Sequence, residues 1–280
     1  MRKINSELIV QAVKKLCIDV NTKLPDTTYG RLKECLGEET SEVGKSILGQ
    51  LLENADLAKK NSDPICQDTG MAVFFVTLGQ EVIIEGMTLE EAINEGVRRG
   101  YGEGYLRKSI VKDPIDRINT NDNTPAIIHI KTEAGDKLTI EFAPKGFGSE
   151  NMGALKMLKP SDGLEGVRNF VIETVKNAGP NPCPPIVVGV GIGGTMEKAC
   201  EIAKRALLRE INTPSENDRW AEVEKELLSD INDLDIGPQG LGGKTTALAV
   251  HIETYPTHIA GLPIAVNINC HAARHGKIIL

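Results

Sequence analysis

The sequence predicts a mixed α/β (α+β) fold: a helical N-terminal segment, then a mixed β-sheet flanked by helices, with the chemistry-bearing loops at strand ends. Three observations carry this expectation. Residues 1–60 place apolar side chains at helical spacing. Residues 61–280 intersperse short β-branched runs with amphipathic stretches. Glycine and proline gather where those runs end. The 280 residues are 40% hydrophobic, which supports a real core, and 25% charged, as in ordinary globular domains. With no repeat, low-complexity tract or evident linker, residues 1–280 read as a single domain, with 1–60 its helical N-terminal segment and 61–280 its α/β body.

The elements follow in order. Asn5 and Ser6 can cap a first helix carrying Leu8, Val13, Leu16 and Val20, which Pro25 ends. Asp26 can cap a second helix through Leu36, stopped by Gly37, and a third runs over residues 42–60. Pro64 pushes Asp63 towards extended backbone and Gly70 permits a sharp turn, so residues 63–70 form a loop. Residues 71–78 and 81–85 are strand-like. Thr88 caps a helix through Arg99, broken by Gly100, Gly102 and Gly104. Residues 126–131 and 137–143 are expected to pair as a hairpin. A glycine-rich loop at 145–151 precedes a helix at 164–176, a proline-stiffened loop at 181–185 and a buried strand at 186–190. Helices at 196–209 and 216–230, a second glycine-rich loop at 237–243, and strands at 246–253 and 264–269 complete the pattern.

The formal net charge of -7 argues against a nucleic-acid partner, which needs a basic surface. No apolar run is long enough to span a membrane, and the first residues lack the apolar core of a signal peptide, so a cytoplasmic protein with no membrane partner is expected. In that reducing compartment the six cysteines are not expected to form structural disulfides. Cys17, Cys35 and Cys200 fall within helical patterns and are assigned to packing. Cys66, Cys183 and Cys270 lie in loops or at strand ends beside Pro, Gly, Asn or His. They stand 117 and 87 residues apart, so spacing alone does not join them into one site. If they do share an iron–sulfur cluster, three thiolates leave one iron with an open position, as catalytic metals have and fully ligated structural clusters do not.

Their neighbourhoods supply the link. The motif Pro64-Ile-Cys-Gln-Asp-Thr-Gly70 resembles the cluster loop of the class I fumarate hydratases and the related L-tartrate dehydratases. Lys145-Gly-Phe-Gly-Ser-Glu-Asn151 is similar to their glycine-rich substrate loop, and Gly237-Pro-Gln-Gly-Leu-Gly-Gly243 to another element of the family. His258-Ile-Ala-Gly-Leu-Pro263, followed by Asn269-Cys-His-Ala-Ala-Arg274, resembles the segment that carries the third cluster ligand. These matches cover residues 60–275 in family order.

The resemblance implies an enzyme, a hydro-lyase that hydrates fumarate to S-malate in the tricarboxylic acid cycle, or the related L-tartrate dehydratase that forms oxaloacetate. It implies a [4Fe–4S] cluster on Cys66, Cys183 and Cys270. It carries over Gln67, Asp68, Arg107, Gly148 and His258 as substrate-binding residues, with Asp68 and His258 catalytic. Gly146 competes with Gly148 for its role, and Arg98 and Arg99 lie near Arg107. Single-chain family members add a second domain bearing further arginines, a lysine and a threonine base. This sequence stops soon after the third cysteine motif, so the resemblance is to the α subunit of a two-subunit form, with a separate β subunit and an α2β2 assembly expected.

These residue types suit the reaction. A guanidinium can grip a carboxylate through two parallel hydrogen bonds. Glycine lets backbone N–H groups approach an anion closely. A carboxylate tied to the cluster loop can help protonate a departing hydroxyl, and a histidine can orient or share that proton. Asp68 could instead serve only its own turn, and His258 could be a satisfied core histidine. Gly189-Val-Gly-Ile-Gly-Gly194 formally fits a dinucleotide fingerprint, making a nucleotide-binding module the rival of another class. No acidic strand end follows about 20 residues on, as that fingerprint requires. Gly240-Leu-Gly-Gly-Lys-Thr245 fails as a P-loop because Pro238 stands where glycine is needed. His271 and His275 lack a Cys-x-x-Cys partner for zinc. A non-enzymatic iron–sulfur scaffold is the remaining alternative.

Overall fold

The computed structural model describes all residues from Met1 to Leu280. The chain folds into two compact units, Met1–Leu24 with Leu57–Phe147 and Arg274–Leu280, and Pro25–Asp56 with Gly148–Ala273. No helix is long and apolar enough to cross a membrane.

The first unit rests on a four-stranded mixed sheet in the spatial order Gly276–Ile279, Leu138–Lys145, Met71–Gly79, Ile127–Glu133. The central strand Met71–Gly79 is parallel to Ile127–Glu133 and antiparallel to Leu138–Lys145. The hairpin expected over residues 126–143 is therefore absent, although both of its strands exist. The end of the central strand inserts between them: Gly79 N–H donates to Lys137 O (2.8 Å), Gln80 N–H to Glu133 O (2.8 Å) and Glu81 N–H to Gly135 O (2.9 Å). Alternation marks a strand without naming its neighbour.

Helices Ser6–Thr22 and Leu89–Glu103 cover this sheet. Ile9, Val10, Val13, Ile93 and Val97 meet Phe74, Val76, Ile140 and Phe142 in a dry core. Both helix starts match the sequence: the Asn5 side chain accepts from Glu7 N–H, and Thr88 with Glu91 forms a capping box. The second helix runs past Arg99, where the sequence suggested an end. Gly100 lies where a Cβ would come within 2.8 Å of the Cys17 Cβ, so it serves a close helix crossing rather than a break. A short parallel pair, Arg2–Asn5 with Val82–Glu85, adds a strand that four residues were too few to announce.

The second unit has its own mixed sheet, in the order Ala154–Leu158, Leu262–Asn269, Ile186–Gly193, Ala247–Tyr255. Along Ile186–Gly193 every residue is buried, because both faces are covered. Ile186, Val188, Val190 and Ile192 pack in one cluster with helices Gly163–Ala178 and Asp218–Asn232. Gly189 and Gly191 alternate with them; a Cβ at either would fall 2.2 Å from Ala203 O or 2.1 Å from Ala199 O. The dinucleotide-like glycines thus admit helix Met196–Ala206 against the strand. On that helix Ala199, Ile202, Ala203 and Ala206 form the buried stripe. Cys17 and Cys35 are buried as expected, but Cys200 lies off the stripe and is exposed, which corrects its assignment to packing. Asp26 does not cap its helix either: Pro25 holds the cap position, and Asp26 joins the first turn, where its charge favours the helix N-terminus.

Glu39 organises the second glycine-rich loop. It is buried, and its carboxylate accepts backbone N–H groups from Thr40 (2.9 Å), Ser41 (3.0 Å), Lys244 (3.1 Å) and Thr245 (3.1 Å). Burial opposes its ionisation, yet these donors outweigh it and hold the carboxyl below the usual glutamate range. The ionised form therefore stabilises the fold at neutral pH, and this contribution disappears as pH falls through the lowered pKa. Glu39→Gln should lower unfolding stability at pH 7 by about 2 kcal/mol. The gap to the wild type should close as the pH drops below the glutamate range, and urea unfolding at both pH values measures it. A gap that persists in acid would show that shape rather than charge is responsible.

Candidate active site

In the first unit the site is built around the loop after Pro64. Ile65 N–H donates to Asn21 O (2.9 Å), fixing the loop to the end of helix Ser6–Thr22. Cys66 is half-buried, and its Sγ accepts the N–H of Asp68 at 3.4 Å. The same thiol reaches Gln67 Oε1 at 3.5 Å, so Cys66, Gln67 and Asp68 form one local group.

Both carboxylate oxygens of Asp68 are placed by backbone donors. Gly70 N–H donates to Oδ1 (3.0 Å) and Phe147 N–H to Oδ2 (2.9 Å). The first is an Asx-type turn; the second reaches across to the glycine-rich motif. Gly146 stands directly against this carboxylate, where a Cβ would lie 3.1 Å from Oδ2. Gly146 is therefore the motif glycine at Asp68, whereas Gly148 sits in the short helical turn Phe147–Glu150, where an added Cβ would meet only Asn181 O, at 3.8 Å. Each Asp68 oxygen keeps a further lone pair for another donor.

Arg107 is exposed, and its carbonyl accepts Thr69 Oγ1 at 3.2 Å. The competing arginines are engaged elsewhere. Arg98 pairs with Asp122 (3.0 Å) and Glu95, and Arg99 pairs with Glu7 (2.6 Å) and Glu95 (2.7 Å). Beneath the loop lies a buried polar network that sequence reading missed. Arg274 donates to Asp68 O (2.9 Å) and to Asn21 Oδ1 (3.1 Å), and Tyr101 O–H donates to Thr69 O (2.7 Å). Burial pushes the Tyr101 phenol well above its usual pKa and keeps it a donor. Arg274 sits in a motif already singled out; Tyr101 falls in the glycine-rich stretch 100–104 that in the sequence reads as a helix break.

In the second unit a backbone bond joins the segments that carry the other two cysteines. Cys183 is exposed and Cys270 half-buried. Cys183 adopts left-handed backbone (φ 53°), its N–H donates to Pro180 O (3.0 Å), and its carbonyl accepts the N–H of His271 (3.3 Å). Gln239 reinforces the loop by donating its backbone N–H and its side-chain amide to Pro184 O, both at 2.8 Å. His258 is exposed on the turn after Ala247–Tyr255, not a core histidine. Its Nδ1 accepts from Ala260 N–H (3.2 Å), so in the neutral ring Nε2 carries the proton.

The donor chemistry fits an iron–sulfur group. The three loop cysteines are accessible, whereas burial pushes the thiol of Cys35 up to about 11 and that of Cys17 higher still. Nowhere do three His, Cys, Asp or Glu side chains converge tightly enough to chelate a single ion. A cluster asks for less, because each of its cysteines binds a different iron and the sulfurs stand further apart.

Comparison with known proteins adds an independent finding. A family model described as fumarate hydratase (fumerase) matches residues 10–279. A Methanocaldococcus jannaschii protein named "Putative L(+)-tartrate dehydratase subunit alpha" is 44% identical over 275 residues, 96% of this chain and 95% of that protein. The L(+)-tartrate dehydratase subunit alpha of Escherichia coli O157:H7 is 34% identical over 276 residues, 97% of this chain and 90% of its own. Matched from near one end to the other by both kinds of comparison, the chain belongs to the hydro-lyase family of class I fumarate hydratases and L-tartrate dehydratases, among its α subunits.

Proposed function

We propose that this chain is the α subunit of a [4Fe–4S]-dependent hydro-lyase that interconverts fumarate and S-malate together with a separate β subunit. The observation that carries the reading is Asp68: a carboxylate two residues from a candidate cluster ligand, held by two backbone donors and backed by a glycine. Cys66, Cys183 and Cys270 would hold the cluster, which when bound supplies Lewis acidity at an iron not held by cysteine. Asp68 exchanges a proton with the substrate hydroxyl oxygen; its two backbone donors keep it aimed without taking up its remaining lone pairs. Arg107 binds a substrate carboxylate, Gln67 hydrogen-bonds the substrate, and Gly146 or Gly148 lets the backbone approach it. His258 presents an Nε2–H that can orient or share the proton. The names of the relatives favour a second reading, dehydration of L(+)-tartrate by the same site.

Anaerobic reconstitution with iron and sulfide tests the cluster assignment. Replacing Cys66, Cys183 or Cys270 with serine should abolish stable cluster absorbance and iron retention. Replacing Cys17, Cys35 or Cys200 should leave both intact, and the opposite pattern would refute the ligand set.

Asp68→Asn should retain the cluster and the thermal midpoint while kcat falls by about 10²-fold or more, the usual contribution of a placed proton-transfer group. Unchanged turnover would return Asp68 to a turn-forming role, whereas a retained cluster with no turnover in the wild type itself would favour the scaffold reading. Steady-state kinetics on fumarate, S-malate and L(+)-tartrate should show the first pair preferred, and only by the assembled complex. Preference for tartrate would select the second reading, and full turnover by this chain alone would refute the two-subunit form.

A further inference from the structure

The segments carrying Arg107 and Asp68 are joined by a side chain that no motif singles out. Asn123 is wholly buried between them. Its Nδ2 donates to Gly70 O (3.2 Å), and its Oδ1 accepts the N–H of Ser109 (2.7 Å). These partners fix the orientation of the amide, since a backbone N–H requires the oxygen and a carbonyl requires the NH₂. A second tie runs beside it, from Thr69 Oγ1 to Arg107 O at 3.2 Å. Residues 107–109 are thus fastened to residues 69–70 by two side chains that reach in opposite directions.

We propose that Asn123 is a positioning residue that sets Arg107 for the substrate carboxylate by locking its segment to the loop that carries Asp68. The inference rests on the reading of Arg107 as a substrate residue. The chemistry required is narrow. One short planar group must both donate and accept, which an aspartate cannot do, because an ionised carboxylate offers no donor to Gly70 O. The backbone at Asn123 is left-handed (φ 61°), a conformation asparagine tolerates and glycine adopts freely. Asn123→Gly therefore removes both hydrogen bonds without adding backbone strain, and Asn123→Asp removes the bond to Gly70 while keeping the acceptor for Ser109. The Arg107 side chain is exposed, and its neighbours are held elsewhere, Leu106 N–H by Tyr101 O (3.1 Å) and Lys108 O by Asn119 Nδ2 (2.9 Å), but only the two ties above join residues 107–109 to the loop that carries Asp68.

The test is steady-state kinetics of the cluster-loaded complex with its partner subunit, on the dicarboxylate the wild type turns over. Asn123→Gly should raise KM about tenfold with kcat within about threefold, roughly the effect of losing one to two buried hydrogen bonds. Asn123→Asp should raise it less. In an Arg107→Ala background, Asn123→Gly should add no more than about twofold, since the two changes act on one interaction. A general structural lesion would instead add its full effect in both backgrounds. Hydrogen exchange at the Ser109 amide should speed up in Asn123→Gly and stay slow in Asn123→Asp. If Arg107→Ala raises KM while Asn123→Gly leaves it unchanged, or the two effects add, the inference is overturned and the substrate reading survives. If Arg107→Ala leaves KM unchanged, both fall. Should Asn123→Gly fail to assemble, Asn123→Asp carries the same comparison: a KM rise that vanishes in the Arg107→Ala background supports the inference, and an additive or absent rise overturns it.

Discussion

Three consecutive backbone carbonyls, those of Asp68, Thr69 and Gly70, are held by the side chains of Arg274, Tyr101 and Asn123, and the geometry of the Cys66 loop depends on these bonds. A loop has no ladder to satisfy its polar groups, and each buried carbonyl left without a donor costs about 1–3 kcal/mol. The three donors come from separate stretches of chain, so the shape of residues 66–70 is dictated by tertiary structure, not by its own sequence. With its carbonyls taken, the loop is left with its side chains and N–H groups for other work. Asp68 N–H turns to the Cys66 sulfur and Gly70 N–H to the Asp68 carboxylate.

The second unit solves the same problem differently. Cys183 stands in left-handed backbone between two prolines, a conformation costly for a side chain with a Cβ and kept only where the surroundings enforce it. Its N–H and carbonyl are both used, the latter by the residue following Cys270. One backbone bond thus joins two segments far apart in sequence. The neighbouring glycine-rich loop is shaped by a buried carboxylate instead: a Cβ on Gly243 would lie 2.9 Å from Glu39 Oε1, so one of the glycines that suggested phosphate binding makes room for an internal anion.

Helices were legible wherever a cap and a periodic stripe agreed, as at Asn5 and Thr88. Strand existence was legible too, yet strand partnership was not, because the choice between a hairpin at 126–143 and an inserted central strand is made by the distant segment 71–79. Strand Ala154–Leu158 escaped notice for a related reason: it lies at a sheet edge, with Leu155 and Met157 exposed, Lys156 between them and only Leu158 buried, so its alternation does not report a buried face. At the site, cysteines in proline- and glycine-bounded loops were visible because such loops advertise themselves. Tyr101, Asn123 and Arg274 were not, since a buried polar side chain is recognised only by its partner. A preference between Gly146 and Gly148 at Asp68 likewise required the approach of Gly146 to its carboxylate, a relation across 78 positions of sequence.

The exposure of the groups proposed to meet the substrate gives a physical reason for the proposed second subunit. Gln67 and Arg107 lie in water, and so does the Phe147 side chain. A guanidinium there gains little from a carboxylate, because solvent screens the pair and both ions keep their hydration. The same contact becomes strong and selective once water is displaced, and only then would an aimed carboxylate such as Asp68 meet the proposed substrate in a low-dielectric pocket. The chain fixes its own groups in advance, through buried bonds from behind, while leaving their working face open. A partner that closes over that face would add the desolvation the α chain lacks, so affinity and turnover would arise together on assembly and not from either chain alone.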